Sequence, residues 1–350
     1  MREVVASIEG EFERYRRMGE GVLGQVPDGE LARPAEGNGN SIATLVQHIS
    51  GNFRSRFTDF LTSDGEKPWR DRESEFAAPR ASRGDLQAAW DEGWKVLQSA
   101  LAALTDDDLG RQVTIRGQAL TVRDALHRSL SHLSYHVGQM VMLGRAITGD
   151  HWTFLTIPPG KSTEYNRAPT REKAPTPAPA ILQPAAIPQP GSLPDDIAAR
   201  LLKAASGPVW HGPALQELLA DVTAAEAAAR PAAGLHGIGA LVLHVRYWCE
   251  DSRRRLPAAG QEPVAVPEPG TGEDWPPFDR RDEPSWERER EALAESHQAL
   301  AAAVRLLPPG LLPVKVPGRR VTFEDMLRGV VEHAAYHGGQ IAILKRSLRG

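Results

Sequence analysis

Apolar residues recur at three- and four-residue steps in four stretches of the first half of the chain, roughly Arg2–Leu23, Ser41–Thr62, Arg83–Leu104 and Thr121–Thr148. That spacing is the signature of amphipathic α-helices. Four matching stretches follow in the second half, roughly Ala214–Arg230, Gly237–Leu256, Ser285–Leu307 and Thr322–Leu348. Start signals agree with the pattern: Asn40-Ser41 can cap the second helix, and Thr121 followed by Asp124 resembles a capping box for the fourth. The short runs VTIRGQ and VKVPGRR, each just ahead of a fourth helix, suggest a strand-like turn. Between Arg167 and Pro194 the chain is rich in proline and alanine without sustained periodicity, which reads as a semi-rigid linker. The predicted fold class is therefore all-α, two tandem four-helix bundles at residues 1–166 and 195–350 joined by a linker at 167–194. Each bundle has a long connection between its second and third helices, DGEKPWRDRESEFAAPRAS and PAAGQEPVAVPEPGTGEDWPPFDRRDEP, of the kind that forms lids or edges.

The halves are copies of one another. Thr121–Arg145 aligns with Thr322–Arg346 at a constant offset of 201 with ten identities in twenty-five positions. Upstream, SIATLVQHIS around His48 matches GIGALVLHVR around His244. A repeat of this quality implies duplicated domains, and 350 residues suit two domains of ordinary size.

Composition narrows the partners. A formal net charge of −4 gives no global basic field for nucleic acid, and the arginine clusters Arg14, Arg16, Arg17 and Arg253–Arg255 read as solvated helix faces. A single cysteine, Cys249, excludes an intrachain disulfide and reads as a small buried hydrophobe. The N-terminal MREVVASIEGEFERYRR lacks the apolar core of a signal peptide, and no stretch reaches membrane-spanning length, so a cytoplasmic protein without membrane association is expected.

Histidine carries the chemistry. His132 and His136, like His333 and His337, lie four apart, so their rings project from one helix face within reach of a single ion. An antiparallel bundle brings His48, or His244, across the core as a third nitrogen. Three neutral imidazoles leave a fourth position open, which suits zinc and is acceptable to nickel, iron or cobalt. Zincin-type proteolysis is discounted because Leu133 and Ala334 stand where that motif needs a glutamate.

Around the histidines, Gln139 and Gln340 either orient a metal-bound water, support a ligand, or make an ordinary hydrogen bond within the helix. Tyr135 and Tyr336 either line the site or pack between helices, and these four are the catalytic candidates. Gly138 and Gly339, unfavourable inside a helix, suggest close approach of a helix or a substrate. The helix-two faces differ: Asn52, Ser55 and Asp59 follow His48, whereas Trp248, Asp251 and Arg255 follow His244. Asn52, Ser55 and Trp248 are candidate pocket-lining residues, and the two pockets are expected to take different second ligands. No carboxylate recurs beside the histidines in both halves, Asp59 and Glu332 being confined to one each. His127, His211, His236 and His297 have no partner at metal spacing and are placed on other faces, helix starts or surfaces; His151 is a candidate to fold over the first site's mouth.

These residues together, the histidine in LVQH or LVLH on helix two and HLSYHVGQ or HAAYHGGQ on helix four, resemble the DinB/YfiT-like superfamily of metalloenzymes, present twice and covering nearly the whole chain except the linker. The resemblance implies four-helix bundles of up-down-down-up topology and a divalent metal (zinc, nickel or iron) held by His48, His132 and His136 and again by His244, His333 and His337. It also implies frequent dimers, here an intramolecular pseudo-dimer or a homodimer. Characterised relatives include transferases and isomerases that use low-molecular-weight thiols such as mycothiol or bacillithiol. A thiol S-transferase acting on a small-molecule substrate is the leading expectation. A metal-dependent hydrolase, a non-catalytic metal-binding or ligand-sensing module, and a structural second half are the others.

Overall fold

The computed structural model describes residues 2–35, 39–77, 82–158, 192–209, 212–230, 235–258, 260–270 and 272–349. The chain divides into two compact units, one made of Met1–Thr153 with Arg346–Gly350, the other of Phe154–Lys345.

In the first unit the long helices are α1 (Glu3–Gln25), α2 (Ile42–Phe57), α4 (Arg83–Ala102) and α5 (Val122–Thr148), with a five-residue helix α3 (Arg72–Phe76) between the second and third of them. Helix α1 packs on α5 and α2 on α4. The α2/α4 pair approaches closely because Gly93 has no side chain: a Cβ there would lie 2.8 Å from the Cα of Ser50. Edge-to-face aromatic contacts fill the interior, Phe12 against Phe53 at 6.2 Å and Phe53 against Trp94 at 5.0 Å between ring centroids. Ser41 and Thr121 cap α2 and α5 through their side chains, as their sequence positions suggested. Helix α2 stops at Phe57 rather than Thr62, because Thr58 is extended and Asp59 takes a left-handed φ of 48°.

The strand-like turn ahead of α5 is a real hairpin, β1 (Gln112–Ile115) paired antiparallel with β2 (Gln118–Thr121). Its two turn residues, Arg116 and Gly117, have φ of 56° and 71°, as a two-residue type I′ turn requires. The Asp64 carboxylate accepts backbone N–H groups from Glu66, Arg116 and Gly117 at 2.7–2.8 Å. Partial burial works to raise its pKa, but these donors hold it at about 2. Asp64→Ala should therefore lower the unfolding free energy by about 1–2 kcal/mol, visible as a lower melting temperature; an unchanged melt would show that the hairpin stands without this anchor.

The second unit differs from the sequence expectation at its first helix. The periodicity placed that helix at Ala214–Arg230, but the long helix is α6 (Leu193–Ser206), and the 214–230 stretch holds two short helices, α7 (Leu215–Leu219) and α8 (Ala224–Ala228). Ser192 caps α6, and Pro194 sits in its first turn, where a missing N–H costs nothing. The last residues assigned to the linker thus begin a helix, and 167–191 lie outside the described residues. Helices α9 (Ile238–Arg254), α10 (Glu283–Arg305) and α11 (Phe323–Arg349) follow, α10 packing on both α6 and α9. Ile197, Leu201, Cys249, Leu300, Val304, Phe323 and Leu327 share one apolar core. The VKVPGRR segment gives only a single bridge, Lys315 with Thr322. The architecture is all-α apart from these small pairings, and among the described residues no helix is long and apolar enough to cross a membrane.

The arginine clusters part ways. Arg14, Arg16 and Arg17 pair with glutamates three or four residues away on α1, as a solvated face should. Arg255 does not: it is 2 % exposed, its guanidinium bonded to Asp251 and to the carbonyls of Val266 and Pro267. Cys249 is fully buried and burial pushes its thiol up to about 12, so it is an inert core group.

Candidate metal centres

Helix periodicity places His132 and His136 one turn apart on the buried face of α5, and α2 presents His48 to them. The Nε2 atoms of His48 and His132 are 2.9 Å apart, and the ring centroids of His132 and His136 are 4.5 Å apart. His48 is held from behind. Its Nδ1 donates to Glu75 Oε2 at 2.8 Å, and Arg70 grips the same carboxylate through Nε and Nη2 at 2.8 and 2.9 Å. Helix α3, capped by Asp71, is the device that delivers Glu75 and also sets the Phe76 ring 4.6 Å from that of His48. Gly51 on α2 makes room: a Cβ there would lie 2.2 Å from Glu75 Oε1. Burial lowers the pKa of His48 against the opposing pull of Glu75; burial would raise Glu75, but its bonds from His48 and Arg70 keep it below the usual carboxylate range.

The second cluster repeats the triangle. His333 Nε2 lies 3.1 Å from His244 Nε2 and 3.0 Å from His337 Nε2. Here His244 Nδ1 donates to the backbone carbonyl of Asp274 at 2.5 Å, and Trp275 stacks on the His244 ring at 3.7 Å and 10°. His236 covers the other side of Trp275 at 3.8 Å. Burial lowers His337 to about 4 and puts His244 well below its ordinary value.

The glutamines behave alike in both copies: Gln139 Oε1 accepts from His136 Nδ1 at 2.8 Å, and Gln340 Oε1 from His337 Nδ1 at 2.7 Å. Of the alternatives open for them, orienting a histidine is the one the geometry adopts. The oxygens facing the Nδ1 atoms of His48, His136, His244 and His337 are acceptors, so each of these Nδ1 atoms carries the proton and each Nε2 presents a lone pair. Lone pairs that converge on one point repel unless a cation sits between them. A tetrahedral ion with bonds of about 2.1 Å separates its nitrogen ligands by about 3.4 Å, close to the 2.9–3.1 Å found here. Among the described residues these two triads are the groups able to hold a metal ion, and no fourth side chain joins either.

The other candidates distribute unevenly. Tyr135 and Tyr336 lie beside the clusters, their rings 5.3 and 5.1 Å from those of His136 and His337, and burial pushes Tyr135 up to about 12. Asn52 is buried one turn beyond His48, with no hydrogen-bond partner for its Oδ1. Trp248 is half-buried, edge-on to His244 at 6.3 Å. Ser55 does not line a pocket with its hydroxyl, which bonds the carbonyl of Gly65 and the N–H of Lys67. His151 is exposed in the turn after α5 and belongs to neither triad. His297, placed at a surface or helix start by sequence, is instead fully buried within α10, its Nδ1 on the Leu293 carbonyl. Sequence reasoning missed Glu75, Arg70, Trp275 and the role of His236; the only available signal was that the first three lie in the two long connections flagged as functional.

Fold and site together define a helical protein with two three-histidine centres of the kind that hold a divalent metal. Residues 209–341 match the family described as DinB superfamily, and residues 1–161 match a family described as Protein of unknown function (DUF1572). No curated protein and no solved structure matches the chain.

Proposed function

We propose that the protein is a metal-dependent enzyme of the low-molecular-weight thiol S-transferase type, acting on a small electrophile. The observation that carries this is the convergence, twice in one chain, of three histidine nitrogens, two of them in each triad presenting an Nε2 lone pair, with no fourth side chain joining either triad among the described residues. A divalent ion held there, zinc, nickel or iron, supplies Lewis acidity that lowers the pKa of a thiol entering the free position. The chain's own residues set the stage: Glu75 and the Asp274 carbonyl fix the proton on Nδ1 of the helix-two histidines, and Gln139 and Gln340 do the same on helix four. Phe76 and Trp275 cover those rings. Tyr135 keeps its proton at neutral pH and offers a hydrogen bond rather than a base. Glu75, the carboxylate that reaches the first centre, is spent on His48 and Arg70. That favours a thiol, which ionises readily, over water, which wants a separate base, and so favours transfer over hydrolysis.

The test is metal analysis of the full chain after saturation with the ion and removal of the excess, followed by turnover with panels of thiols and electrophiles. Close to two equivalents of metal and a thiol-dependent activity lost in His132→Ala or His333→Ala are expected. Bound metal with no turnover on any pair would sink the transferase reading and leave a binding module; one equivalent removed by His132→Ala alone would make the second half structural.

A further inference from the structure

The two centres share their three histidines and the glutamine behind the last of them, but they differ in what stands behind the helix-two histidine. His48 rests on an ionised carboxylate clamped in place by Arg70, whereas His244 rests on a neutral backbone carbonyl. We infer that the centres are unequal, that the first takes a divalent metal more tightly than the second, and that Glu75 is the positioning residue responsible, so that at limiting metal the chain carries one ion, on His48, His132 and His136. This rests on the reading of both triads as metal sites.

An anionic acceptor on Nδ1–H pushes electron density onto the ring and makes Nε2 a stronger donor, besides fixing the ring's orientation. Losing such a partner typically weakens metal binding by about 10–100-fold. Three features of the site bear on the balance. Arg70 offsets part of the Glu75 charge, its Nη2 sharing Oε2 with His48 at 2.9 Å, but His48 Nδ1 lies 2.8 Å from that oxygen and still faces a carboxylate where His244 faces a neutral carbonyl. Trp275 stacked on His244 favours the more cationic, metal-bound ring of the second centre. His244 is buried and Trp275 half-buried, so that attraction lies between the about two- to five-fold of an exposed pair and the about thirty-fold of a desolvated one, within or below the range of the carboxylate's contribution. Finally, the carbonyl at His244 orients the ring as well as Glu75 does, so the difference lies in charge rather than in geometry. The contact with Glu75 depends on Gly51, which leaves the space the carboxylate occupies.

The experiment is a Zn2+ titration of the full chain against a chromophoric competitor, with Trp275 emission recorded alongside as a reporter of the second centre. His333→Ala leaves the first centre and His132→Ala leaves the second. About ten-fold tighter binding in His333→Ala than in His132→Ala is expected, and in the unmodified chain the first equivalent should leave Trp275 emission unchanged while the second alters it, a response missing in Trp275→Phe. Adding Glu75→Gln to His333→Ala should weaken Zn2+ by about 10–100-fold. Gly51→Ala, whose Cβ would meet the Glu75 carboxylate and push it away from both His48 and Arg70 without removing its charge, should weaken it in the same direction and decides the matter if Glu75→Gln does not fold. Equal affinities, a Trp275 response at the first equivalent, or undiminished binding in these two variants would overturn the inference. Absence of Zn2+ binding in both single-centre variants would instead overturn the metal-site reading beneath it.

Discussion

Asp251→Ala is expected to destabilise the second unit by about 3–5 kcal/mol, the cost of leaving a buried charge uncompensated. Asp251 is fully buried on α9 and accepts from Arg255 Nε at 2.8 Å, from Arg254 Nη2 at 3.1 Å and from Arg319 Nη2 at 3.1 Å. Arg255 in turn ties down the 266–268 stretch through two carbonyls and Glu268. Removing the aspartate takes the fully buried carboxylate from three arginines at once and leaves the buried Arg255 guanidinium with two carbonyls and the partly exposed Glu268. Asp251→Asn keeps an acceptor and should cost less. Urea unfolding of the two variants checks this, and a loss under about 1 kcal/mol for the alanine would mean that the arginines find other partners. Replacing the whole network by apolar side chains is a different experiment, since ion networks of this kind hold one another in place more than they add stability.

The second large effect is on pH dependence. Without a metal, buried His337 has its pKa lowered to about 4 from the ordinary 6.5 of histidine, chiefly by burial. Below about 6.5 the unfolded chain takes up a proton that the folded chain refuses, so stability falls as pH drops through the window from 6.5 to 4 and levels off beneath it. Between pH 7 and pH 5 this amounts to roughly 2 kcal/mol for His337 alone, and His48 and His244, lowered in the same direction, add to it. Urea midpoints of the metal-free chain across that range, with His337→Gln as the variant that should flatten the slope, give the answer. A flat profile would show that these rings titrate normally and are not desolvated in the folded state.

How far the sequence carried depends on the range over which each residue acts. His132 and His136, and their counterparts, were legible because a four-residue step on a helix is itself a geometric statement, and the internal repeat tied His48 and His244 to them. Helix caps at Ser41 and Thr121 were legible for the same local reason. Helix α6 was not, because Pro194 and the proline-rich run before it resemble a linker until the N-terminal position of that proline is recognised. The alanine-rich 214–230 stretch has helical composition but breaks after Leu219, with α8 starting afresh under a Thr223 cap. Glu75 and Trp275 act across loops, on partners 27 and 31 positions away, and no periodicity encodes such contacts. That no carboxylate recurs beside the histidines in both halves says nothing of a carboxylate confined to one, and Glu75 stands behind His48 alone.

In the aligned helix-two segments Gly51 falls opposite Tyr247. The first copy offers bare backbone at this spot, and the second a bulky phenol that packs against Trp248. A gene that doubles starts with two identical pockets, and each later change must keep both halves folding. A glycine at this spot is a permissive state: any acidic residue that drifts into the neighbouring loop can be accepted as a backer for the metal ligand. Where the tyrosine stands, the loop's main chain does the job, through the Asp274 carbonyl. One helix position thus goes with two different backings, a carboxylate behind His48 and a main-chain carbonyl behind His244, without touching any of the six histidines.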